Sequence, residues 1–375
     1  MSTRTAAELR PVPVLVLAAL ACGQAGEVPE PAIGAACPPC RIEFLQYAQL
    51  GSIEDPWSVK HVFFSRIERR SNGEFLAHDF GRTLGRYDRT GAYLGTVGRP
   101  GSGPGEFRLI RRIAVDDADS IYVVDVTRRM EVFTPDLKPA RSLHFAHSTS
   151  WLLPYQNGFV VHGHERDSIK GQHRLHAVSR AGAYVRAIDE PMVHHGFDMG
   201  DGVTTRVAAL VGRDSLAILN LDTPRVDIYD AQLKRLNSFA LSPSWYPLPE
   251  IPRQRCPGNS EERTYEKALR PWRATLDMHV DRERRLWVLA MVEAPDWEKR
   301  KPPFAAAPCH GRPADFNHYF VGQIDVFSIS GQFLATEKLP FLATTFLRDG
   351  VLVRAIDSPE GLVQFVIYRP GLVKQ

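Results

Sequence analysis

Histidines and cysteines carry most of the chemistry this sequence could perform. His162-Gly163-His164 and His194-His195 lie near Asp198 and Asp201, and imidazole with carboxylate is a ligand set suited to a divalent metal. The spacing argues otherwise. Thirteen histidines are scattered along the chain, and no pair has the separation of a zinc motif. Solvated loop histidines and no cofactor are the expectation, with a divalent metal as the alternative. No Gly-x-Ser-x-Gly elbow occurs, so a Ser-His-Asp hydrolase has no anchor. The glycines at 98–105 lack the Lys-Ser/Thr ending of a phosphate loop and read as turn glycines. No catalytic residue is expected, and a binding protein is favoured over an enzyme.

The cysteines depend on compartment. Arg4 and Arg10 precede an apolar stretch at 12–21 that ends in small residues, the pattern of an export signal. The stretch falls short of the roughly 20 apolar residues a membrane-spanning helix needs, and no other segment is longer. Residues 1–21 therefore read as a signal peptide and 22–41 as a tether. Ala19-Leu20-Ala21-Cys22 resembles a bacterial lipobox, which would place lipid on Cys22; free secretion is the alternative. Periplasm or outer envelope is the expected location. Cys37, Cys40, Cys256 and Cys309 remain, an even number suited to disulfides in an oxidising compartment. Cys37-Pro38-Pro39-Cys40 has redox spacing, but residues 41–45 alternate like a strand, whereas a reactive thiol wants a helix N-terminus. A structural bridge is the better reading.

The elements that position these residues come from a repeat. At 113–136 a short strand, an acidic turn, an apolar strand and a third strand lead into another turn, with Val, Ile, Tyr and Phe in the strands. Weaker copies of the second strand occur at 73–77, 158–161, 215–219, 285–289 and 350–353. The turn after the third strand recurs at 87–91, 133–136, 178–182, 229–232, 327–331 and 368–371. Six copies of a four-stranded antiparallel unit predict an all-β, six-bladed β-propeller. Outside the tether and two irregular insertions, 241–275 and 291–317, about 45 residues remain per blade, a usual propeller length. The last copy has only three strands, near 342–348, 351–357 and 362–368. The segment 42–50 reads like a fourth strand, so the N-terminal strand is expected to complete the last blade and close the ring. The propeller then spans 42–375.

Gly98-Arg99-Pro100-Gly101-Ser102-Gly103-Pro104-Gly105-Glu106-Phe107, followed by the strands at 113–116 and 121–125, resembles an NHL-type repeat. That resemblance implies a six-bladed propeller, here of an exported bacterial, lipoprotein-like kind. It implies no activity, because the fold hosts binders and enzymes alike. Calcium-dependent lactonases and lyases on six-bladed propellers are similar in architecture, and a metal-dependent hydrolase or lyase is the alternative function. Such a site needs converging carboxylate and Asn oxygens, and the sequence supplies few.

Antiparallel alternation places the loops between strands two and three on the same face as the links between blades. Both insertions fall on that face, beside one blade, which makes a Cys256–Cys309 bridge natural; a link from either loop to Cys37 or Cys40 is the runner-up. Residues 260–270 read as a short helix, with Ser260 as cap and Pro271 after its end. The same face receives His162, His164, His173, His194, His195 and His310. The channel mouth there is expected to carry Lys60, Arg111, Arg112, Trp151, Arg206, Arg273 and Thr344, with Asp277 the only obvious carboxylate. That cationic mouth points to an anionic small molecule, glycan or envelope protein patch as partner. The balance of 46 Lys+Arg against 43 Asp+Glu, net +3, supplies no field for nucleic acid. A monomer is expected.

Overall fold

A computed structural model of the chain describes residues 40–52, 54–57, 66–78, 81–144, 148–164, 173–189, 206–220, 225–241, 274–300, 320–357 and 362–374. The expected signal, most of the expected tether, the expected helix at 260–270 and most of both expected insertions fall outside the described residues.

Six four-stranded antiparallel sheets make the fold. From channel to rim, blade one is Arg66–Arg69, Phe75–His78, Leu84–Tyr87 and Tyr93–Val97. Blade two is Ile110–Val115, Ile121–Asp125, Arg129–Phe133 and Pro139–His144. Blade three is Ser148–Tyr155, Gly158–His164, Leu175–Ser179 and Tyr184–Ala187. Blade four is Arg206–Val211, Ser215–Asn220, Arg225–Tyr229 and Arg235–Ala240. Blade five is Ala274–Val280, Arg285–Glu293, Phe320–Ser328 and Phe333–Lys338. Blade six is Thr345–Phe346, Leu352–Asp357, Val363–Lys374 and, from the other end of the chain, Cys40–Leu50. The expected closure is present: Ile42 pairs with Leu372 and Leu50 with Phe365.

The apolar second strands are explained by their position. Each has a blade on either side, so both of its faces are buried and alternation disappears. In blade four, Leu216 and Ile218 pack toward blade three, while Ala217 and Leu219 pack toward blade five. Every neighbouring pair of blades shares such a cluster, including the sixth with the first, where Leu50, Phe75, Tyr87, Val353 and Phe365 meet.

The repeated turn has a local cause. Asp88, Ser179, Asp230 and Ser328 each accept, on a side-chain oxygen, the N–H four residues on; Thr134 does the same for Lys138. These side-chain contacts specify a turn without help from the rest of the fold. The sixth copy is a correction. Residues 368–371 form no turn: Tyr368, Arg369, Pro370 and Gly371 continue the strand and pair with Gln46, Leu45, Phe44 and Glu43. With the fourth strand supplied by the chain's other end, the third strand has nothing to turn back to.

Three boundaries also shift. The closing strand starts at Cys40, inside the segment read as tether. Strand pairing in blade five begins at Ala274 and runs to Glu293 opposite Phe320. Both expected insertions are shortened accordingly, and one helical turn, Trp297–Arg300, follows. Among the described residues no helix is long and apolar enough to cross a membrane.

Candidate functional site

The six innermost strands enclose a cavity of about 310 Å³ on the propeller axis. Small residues on these strands, Ala114, Ala208 and Ala209, leave room for it, and Trp151 forms part of the wall. Its charged lining comprises Arg66, Glu68, Arg112, Asp117, Arg213, Asp277, Asp281, Arg282 and Arg348.

Bulges decide which side chains reach this space. The ladder shifts register between Ile110 and Arg112, between Thr149 and Trp151, and between Thr275 and Asp277. The extra residue of a bulge is unpaired and re-aims its neighbours. In blade two that extra residue is Arg111. Arg112 therefore lines the cavity and Arg111 does not.

Asp277 is held from two blades. Its Oδ1 accepts the Met278 N–H at 2.8 Å. Its Oδ2 accepts the Phe346 N–H at 2.7 Å and the Thr345 hydroxyl. Burial nevertheless pushes its pKa above the ordinary carboxylate range; these hydrogen bonds and Arg66 oppose that. Glu68 is pushed up to about 8, first by burial and then by Asp277, with Asp349 adding to the rise and Arg348 and Arg66 opposing it. Its side chain keeps some access to the channel, yet it is neutral at pH 7. His279 is held down to about 4 by burial and is also neutral there.

The other acids have partners. Arg348, from blade six, reaches Asp117 of blade two at 2.7 Å and donates to the Val115 carbonyl at 3.1 Å, so it straps across the channel above blade one. Asp281 accepts from Arg285 at 2.6 Å and from the Trp287 indole at 2.8 Å. Arg213 stands exposed at the rim, on the face carrying the turns between first and second strands.

Of the residues expected at the mouth, Arg112, Trp151, Asp277 and Thr344 line the cavity. Arg206 does not. Its Nε lies 3.4 Å from Asp189 Oδ2, both side chains almost wholly buried. Asp189 also accepts the N–H groups of Arg174 at 3.0 Å and Leu175 at 3.2 Å, and His173 Nδ1 lies 2.7 Å from its carbonyl oxygen. Arg206 thus neutralises a buried carboxylate at the boundary of blades three and four. His162 is buried in the ladder between Trp151 and Leu175. His164 ends its strand, opposite Ser148. Lys60, His194, His195, Cys22, Cys37, Cys256 and Cys309 lie outside the described residues. Cys40 is buried and disulfide-bonded. Among the described residues no three His, Cys, Asp or Glu side chains gather to hold a metal.

Sequence reasoning missed Glu68, Asp117, Arg213, Arg282 and Arg348. The one available signal was Arg66-x-Glu68, two charged residues at strand spacing on an inner strand. The glycine loop at 98–105 is filled from within: the Glu106 carboxylate accepts the N–H groups of Ser102 at 2.9 Å and Gly103 at 2.7 Å, and Arg99 Nε at 2.8 Å. A side-chain anion occupies the position a phosphate would need.

A family model described as a six-bladed β-propeller matches residues 84–175. No curated protein matches. Two solved structures are similar across most of the chain. One, from Bacteroides fragilis and named as an exported protein, is 15% identical, with a TM-score of 0.53, covering 90% of this chain and 95% of its own. The other, a member of the DUF4221 family from Bacteroides vulgatus, is 10% identical, with a TM-score of 0.56, covering 88% and 99%. At these identities the likeness is one of fold.

Proposed function

We propose that this chain is an exported, non-enzymatic binding propeller whose axial cavity takes the anionic group of a small ligand or partner. The observation that carries the reading is one cavity, bounded by all six blades, whose lining includes Arg66, Arg112, Arg213 and Arg282. Its acids are either answered by protein donors or shifted toward their neutral forms, so positive charge dominates inside. A cavity of this size suits a small ligand; pockets of about 300–1,000 Å³ are usual.

Export rests on the signal-like segment at 1–21 and agrees with the name of the Bacteroides fragilis neighbour as an exported protein. Lipid on Cys22, the NHL-type character of 98–107, a Cys256–Cys309 bridge and a monomeric state belong to the same reading. Non-reducing peptide mapping tests the bridge, and mass spectrometry of the mature N-terminus tests the lipid. The alternative, a metal-dependent hydrolase or lyase, has less support, because the four acids that line the cavity, Glu68, Asp117, Asp277 and Asp281, do not gather into a ligand cluster among the described residues. Stoichiometric tight metal in the purified protein would revive it.

The binding reading is tested by calorimetric titration with acetate, inorganic phosphate and simple organic acids. Arg213→Glu, at an exposed rim position, is expected to weaken capture at least tenfold while unfolding stays unchanged. Equal affinity in the variant sinks the assignment of this cavity.

A further inference from the structure

We propose that the part of the cavity wall formed by Glu68 and Asp277 is a hydroxyl-binding subsite, so that the ligand is a carboxylated sugar or similar polyol of monosaccharide size, its anion toward the arginines and its hydroxyls toward these two carboxyl groups. The inference rests on the binding reading above and specifies its ligand class.

Two carboxyl groups enter one small space from different blades, Glu68 from blade one and Asp277 from blade five. They are not equivalent. Asp277 is fixed by three donors from the protein. Among the described residues no hydrogen bond satisfies the Glu68 carboxyl; it meets Asp277, Arg348, Asp349 and Arg66 only as charges. The Glu68 carboxyl keeps access to the channel, so a group entering the cavity can pair with it. The raised pKa keeps Glu68 protonated at neutral pH, where it offers one O–H donor and acceptor oxygen. An anion alone would leave that group unused. A hydroxyl, which both donates and accepts, matches Glu68 and the remaining acceptor capacity of Asp277. Trp151 adds an apolar aromatic wall against which the C–H face of a sugar ring can lie. The modest volume limits the ligand to about one ring.

The test is calorimetry on the mature chain at pH 6.5 with the uronates of glucose, galactose and mannose, against glucose and acetate. At least one uronate is expected to bind at least tenfold tighter than both controls. Glu68→Ala should lower that uronate to the level of acetate, with acetate unchanged. Glu68→Gln, neutral and still a donor, should keep most of the affinity and abolish the weakening expected in the parent between pH 7 and 9, as Glu68 ionises beside the anion. If every uronate binds no tighter than acetate, the hydroxyl subsite is wrong and the anion reading stands. If uronates, acetate and phosphate all fail to bind, both fall. If Glu68→Ala folds with the parent's unfolding midpoint and keeps its uronate preference, Glu68 is not the recognising group.

Discussion

Asp277 Oδ2 accepts the backbone N–H of Phe346 at 2.7 Å, so a side chain of the fifth blade caps the innermost strand of the sixth. That strand pairs over two residues only, Thr345 and Phe346. An acceptor supplied from the neighbouring blade holds it in place and fixes the carboxylate in the cavity wall. Asp277→Ala would orphan the Met278 and Phe346 N–H groups, while the Thr345 hydroxyl keeps the Phe346 carbonyl as acceptor at 3.1 Å. The expected loss is about 2–4 kcal/mol, since each buried unmet donor costs about 1–3. Asp277→Asn keeps one acceptor and should lose about half as much. Urea unfolding of both variants decides the matter; an Ala variant as stable as the parent would remove the cap from the account.

Glu68 makes stability depend on pH. Its folded pKa, about 8, lies above the ordinary value of 4.5, so the native state binds the proton more tightly than the unfolded chain. The contribution is complete below about pH 4.5 and is lost as pH rises through 8. Glu68→Gln should flatten that slope. Relative to the parent it should gain about 1–3 kcal/mol between pH 5 and 9, a figure reduced for the water that reaches the channel. Parallel stability profiles for the two proteins would show that Glu68 titrates normally.

Arg206 and Asp189 form a buried ion pair across a blade boundary. Removing either partner leaves a buried charge, so Arg206→Ala and Asp189→Ala should each cost about 3–5 kcal/mol. The double variant Arg206→Met, Asp189→Leu should lose less than the sum of the two single losses, the remainder coming from the Arg174 and Leu175 N–H groups that Asp189 no longer accepts. Chemical unfolding of the three variants reads the coupling directly. Additive losses would mean that the two residues act separately.

Gly91 and Gly212 separate conformation from crowding. Both have positive φ, 99° and 63°. A Cβ at Gly91 would lie 1.9 Å from the Gln49 carbonyl oxygen of the closing strand, whereas one at Gly212 meets nothing within 4 Å. Gly212→Ala should cost about 1 kcal/mol, the left-handed penalty alone. Gly91→Ala should cost at least 3, because the blade-one turn must pull away from the strand that closes the ring. Matching thermal midpoints for the two variants would contradict the close approach.

Six blades, four strands in each and the closure by residues 42–50 could all be read from the sequence alone. Their signals are local: continuous apolar second strands, turn residues whose side chains cap N–H groups four positions on, and a last copy one strand short. The cavity's chemistry was decided elsewhere. Whether Arg111 or Arg112 faces the axis depends on a one-residue bulge, and such a shift leaves composition and periodicity untouched. Arg206 looked like a mouth cation until the ring brought Asp189 against it. Glu68 and Asp277 stand more than two hundred residues apart, and only closure of the toroid puts them in one space, where burial and mutual repulsion change what each carboxyl can do.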